Sequence, residues 1–131
     1  MIIPTGALVA VVDGEKLAMF HNTGHEAVKL SALPTPVVTS GGVSPGHRDS
    51  AGNPDNDSRG EDGFAAGVAA MLHAEVLSGK VDALVVIAAP RTLGELRKHW
   101  HKALQAKLIG EIAKDLTGQT TDHIAKAITH A

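Results

Sequence analysis

The chain has 131 residues, enough for one domain, and 44% of them are apolar, enough for a real core. A net charge of −2 argues against a dedicated duplex-DNA binder, and the few aromatics (Phe20, Phe64, Trp100) argue against a base-stacking surface. The absence of cysteine removes disulfides, thiolate zinc sites and cysteine nucleophiles together.

The opening "MIIPTGALVAVVDGEK" has no cationic lead, and Asp13 stops its apolar run. It reads as neither signal peptide nor membrane span, so the expected compartment is the cytoplasm. Residues 7–12, "ALVAVV", read as a buried strand. Asp13-Gly14 is a pair that tight hairpin turns favour, and "KLAMFH", residues 16–21, returns. Asn22-Thr23-Gly24 is a second turn, and "EAVKLSA", residues 26–32, is a third strand. The three make an antiparallel meander.

Residues 34–63 change character, with Pro34, Pro36, Pro45 and Pro54 set among Gly, Ser, Asp and Asn. A long loop is expected, either functional or disordered, within a single domain spanning 1–131. A helix follows, with Phe64, Val68, Met71, Leu72 and Val76 on one face and Gly79 as its stop. "ALVVIAA", residues 83–89, is apolar throughout, as suits a strand covered on both faces and hence parallel to its neighbour. Thr92 and Glu95 have capping-box spacing. The helix they would open buries Leu93, Leu96, Trp100 and Leu104. Residues 107–116 are ambiguous between helix and strand, since Leu108, Ile112 and Leu116 recur at helical spacing but Gly110 interrupts them. A last helix runs from about Thr121 to the end, burying Ile124, Ala127 and Ile128.

If the strands at 7–12 and 83–89 pair in parallel, their carboxyl ends lie together. Ligands of open α/β sheets bind beyond such ends. Asp13, Arg91 and Thr92 would arrive there, and a third parallel strand would add Asp115 and Thr117. The candidate anion site is Arg91, Thr92, Gly94, Arg97 and Lys98, at a helix start with free N–H groups. Asp13 and Asp115 are the candidate rim carboxylates. Simpler roles stand beside each. Asp13 can be a turn former, Arg91 can staple Asp115, and Arg97, Lys98, Lys102 and Lys107 can be a solvated helix face.

No metal site is expected. His21 and His25 flank a turn, His99 and His101 face apart on a helix, and no third ligand stands at a recognisable spacing. No G-x-S-x-G elbow or triad is present. Gly41-Gly42-Val43 lacks the ending of a phosphate loop. No cofactor is implied.

The strings "VVIAAPRTLGELRKHWHKAL" and "GEIAKDLTGQTTDHIAKAI", with the first strand plus "DG" and the Phe64-Ala65 helix start, resemble the family of proteins required for attachment to host cells. That family looks related to the catalytic middle domain of eukaryotic-type peptide release factors. The resemblance implies an RNase H-like three-layer α/β fold, with a mixed five-stranded sheet in the order 3-2-1-4-5. It also implies a strand at about 107–114. Release factors carry Gly-Gly-Gln in a loop where this chain has "TSGGVSPGHRDS", and Val43 stands at the Gln position. Valine can neither orient a water nor offer an amide, so hydrolysis of peptidyl-tRNA by that route is not supported.

Three functions follow as expectations. The first is a non-enzymatic cytoplasmic module recognising RNA phosphate or a ribosomal surface through Arg91 and the basic helix. The second is a metal-assisted hydrolase of a phosphate or ester using Asp13 and Asp115. The third is a protein–protein adaptor acting through residues 40–62. A membrane partner is not expected, and assembly of identical chains stays open.

Overall fold

A computed structural model of the chain describes residues 1–14, 16–34 and 56–131, with side chains of the first helix described from Gly63. The elements run β1 (Leu8–Val12), β2 (Leu17–Asn22), β3 (Leu30–Leu33), α1 (Asn56–Leu77), β4 (Leu84–Ala88), α2 (Pro90–Arg97), α3 (Lys102–Lys107), β5 (Leu108–Ala113) and α4 (Thr121–Thr129). The strands form one sheet in the order β3-β2-β1-β4-β5. β2 is antiparallel to β1 and β3, whereas β4 is parallel to β1 and β5.

Every residue of β1 and β4 is buried, which is what their unbroken apolar sequence requires of central strands covered on both faces. Alternation then divides the core in two. Leu8, Ala10, Val12, Leu84 and Val86 face α1, α2 and α3, meeting Val68, Leu72, Leu93, Leu96 and Leu104. Val9, Val11, Val85 and Ile87 face the other way, toward Ile124, Ala125 and Ile128 of α4. Helices on both faces of the sheet make three layers, as the sequence resemblance implies.

Five sequence expectations need correction. β3 is shorter and later than expected, because Thr23, Gly24 and Lys29 are held in a turn by hydrogen bonds instead. α1 begins at Asn56, so the last part of the expected loop is helical. Its start carries no apolar period, and the pattern becomes readable only from Phe64. The supposed long helix through Trp100 is two helices, broken at Lys98–His101. In α4 it is Ala125 that is buried, and Ala127 only partly so. Residues 108–113 are a strand, as the resemblance implies, although Gly110 sits in them, and the glycine leaves room for the Met1 side chain.

The fifth correction is the capping box. α2 starts two residues before Thr92, with Ala89 as N-cap, Pro90 at the first position and no side-chain cap. Proline's fixed φ suits that position, where its missing N–H is not needed. Thr92 and Glu95 are therefore inside the helix, and Glu95 accepts from Lys98 Nζ at 3.1 Å. By contrast, Thr120 does cap α4, accepting the His123 N–H at 3.2 Å. Thr120→Ala should cost about 1 kcal/mol and Thr92→Ala less than about 0.5 kcal/mol, read from urea unfolding midpoints. An equal loss for both would restore the capping box.

Candidate functional site at the carboxyl rim

Register fixes the geometry of the rim. Val12 pairs with Ala88, and Ala88 with Ala113, so β1, β4 and β5 end side by side. Asp13, the start of α2 and the stretch from Lys114 to Thr117 therefore leave the sheet at one edge. Arg91 and Thr92 lie in the first turn of α2, and the Leu93 N–H donates to the Ala89 carbonyl at 2.8 Å. Arg91 is exposed, and Thr92 and Gly94 are half-buried.

The two carboxylates have local work. The Asp13 side chain accepts the Lys16 N–H, and the Asp13 N–H donates to the Lys16 carbonyl at 2.9 Å. Asp13 is thus a turn former in the β1–β2 hairpin, the simpler of its two expected roles. Asp115 Oδ1 accepts from Thr117 Oγ1 at 2.7 Å and from the Thr117 N–H at 3.3 Å. These two bonds hold its carboxyl below the usual carboxylate range, against a small opposing effect of burial.

The five candidate anion binders do not share one place. α2 runs back from the rim, so Arg97 and Lys98 lie about 9 Å along the helix axis from Arg91. Lys98 pairs with Glu95. Arg97 donates from Nε and Nη2 to Glu111 Oε1 at 3.0 and 2.9 Å. Trp100 Nε1 donates to the other oxygen, Glu111 Oε2, at 3.1 Å. Glu111 therefore ties the end of α2 and the α2–α3 connection to β5. Sequence reading missed it, because a single glutamate in an ambiguous segment gives no signal.

Burial alone would raise the Glu111 pKa, but the bonds from Arg97 and Trp100 and the Arg97 charge together hold it below its ordinary 4.5. A lowered folded pKa gives stability that is fully present above the unfolded value and is lost as pH falls through the folded one. Glu111→Gln should cost about 1 kcal/mol at neutral pH, because Arg97 is largely solvated and screened. That difference from the parent should shrink below about pH 4.5, measured by urea unfolding across the acid range. A difference constant with pH would show that the charge contributes nothing.

The histidines also depart from expectation. His101 is the N-cap residue of α3, not part of a continuous helix with His99, and its ring stacks on His73 with centroids 4.2 Å apart. Among the described residues no group of three or more His, Asp or Glu could hold a metal. Gly41-Gly42-Val43 and most of the stretch 40–62 expected to meet a protein partner lie outside the described residues. Among the described residues no helix is long and apolar enough to cross a membrane.

A mixed sheet in this order, layered between helices and with three strands ending at one rim, makes this a three-layer α/β domain. The chain belongs to bacterial archaeo-eukaryotic release factor family 12, whose sequence model matches residues 6–128. No curated protein matches it.

Proposed function

We propose that the protein is a non-enzymatic cytoplasmic module that recognises RNA phosphate or a ribosomal surface. The observation that supports this reading most is the opening of α2 at the shared ends of β1, β4 and β5. The positive end of the helix and the Arg91 guanidinium form a place where a phosphate is favoured. Membership of a release-factor family is compatible with an RNA or ribosome partner. A part in host attachment would then be indirect, through translation.

The test is fluorescence anisotropy of labelled single-stranded RNA, with pelleting of ribosomes as a second readout. Arg91→Ala should weaken binding several-fold and reduce the slope of log affinity against log salt by about one. Lys98→Ala should weaken it less, since Lys98 is farther from the rim and paired with Glu95. Unchanged binding in both variants, or none in the parent, would remove the proposal.

A further inference from the structure

A cleft of about 620 Å³ opens at the opposite edge of the sheet, between the end of α1 and the amino ends of β1 and β4. Its size is within the roughly 300–1,000 Å³ of small-molecule sites. Leu8, Met19, Leu33 and Val81 give it an apolar floor. Three polar side chains of different character line the same space: His21, Glu75 and Lys80.

His21 Nδ1 is buried without a hydrogen-bond partner. Such an atom costs free energy in the folded state. Neither the half-buried Glu75 carboxylate nor the exposed Lys80 ammonium has a side-chain partner among the described residues, although the two lie on one cleft. A purely apolar occupant would leave both charges without a partner in the cleft. An anion alone would answer Lys80 but face Glu75, and a cation alone would do the reverse.

We propose that this cleft binds a small zwitterion with an apolar body, of which a free apolar α-amino acid is the simplest case. Its carboxylate meets Lys80, its ammonium meets Glu75, and its side chain covers Leu8, Met19 and Leu33. The site is separate from the rim where RNA is proposed to bind, so either reading can fail alone.

The test is a titration of the full ¹⁵N-labelled chain with L-phenylalanine to about 10 mM, a range that reads affinities of about −4 kcal/mol. Saturable shifts should appear at the cleft amides, including those of Leu8, Leu33 and Val81. Glu75→Gln and Lys80→Met should each weaken binding at least about tenfold while keeping the parent's spectral dispersion. The half-molecules hydrocinnamate and phenethylamine should each bind more weakly by a similar factor. Absence of saturable shifts would overturn the proposal. So would unchanged affinity in both charge variants, or a half-molecule that binds as tightly as the zwitterion.

Discussion

Asn22→Ala is expected to destabilise the fold by about 3 kcal/mol, and Asn22→Asp by at least as much. Asn22 is the buried polar residue of the described core, only 1% exposed. Its Nδ2 donates to the carbonyls of Ile3 at 3.2 Å and Pro4 at 3.1 Å. Its Oδ1 accepts the N–H of Gly24 and of Lys29, both at 3.0 Å. One amide therefore joins the segment before β1, the end of β2 and the entry to β3. Alanine would leave four backbone groups without this partner, and such groups are costly when buried. Aspartate keeps the acceptor but sets a charged oxygen against two carbonyls. The measurement is the urea midpoint at neutral pH, with amide exchange at Gly24 and Lys29 as a local readout. A loss below about 0.5 kcal/mol would mean that water replaces the amide without penalty.

Leu96→Ala is expected to cost about 3–4 kcal/mol. Leu96 has no exposed surface and packs in the cluster with Leu93, Leu104 and Val86. Removing it takes away buried apolar area and leaves a cavity that α2 can close only by shifting on the sheet. α2 also carries Arg91, so the same variant should weaken any RNA binding at the rim beyond its effect on the folded fraction. Leu77→Ala is the control, since Leu77 is 65% exposed and should change stability by less than about 0.5 kcal/mol. Equal losses in the two variants would contradict the assigned core.

The central pair of strands was readable because β1 and β4 are apolar at every position, a pattern that few other settings produce. β5 was not. Its exposed and half-buried positions alternate weakly, and Gly110 reflects the Met1 side chain beside it rather than any local preference. The start of α2 was misplaced because a plausible capping pair competed with Pro90, and the proline prevailed. The common rim of β1, β4 and β5 followed correctly from their direction. The spread of Arg91 and Arg97 along α2 follows from the same rule, since a helix after a parallel strand must run back across the sheet. Asn22 looked like an ordinary turn residue, because its partners come from stretches on either side that no spacing connects. Glu111 was hidden in the same way by the distance in sequence to Arg97 and Trp100.

The parallel pairing of β1 with β4 has a consequence for the birth of the chain. β1 can gain β2 as soon as the hairpin leaves the ribosome, but its other side must wait until Leu84–Ala88 has been made. Such distant partners meet slowly, because a large loop must close before any contact rewards it. Throughout that wait a strand that is apolar at every position presents a bare flank to its surroundings, so the growing chain is most vulnerable to clumping between the emergence of its first hairpin and that of its fourth strand.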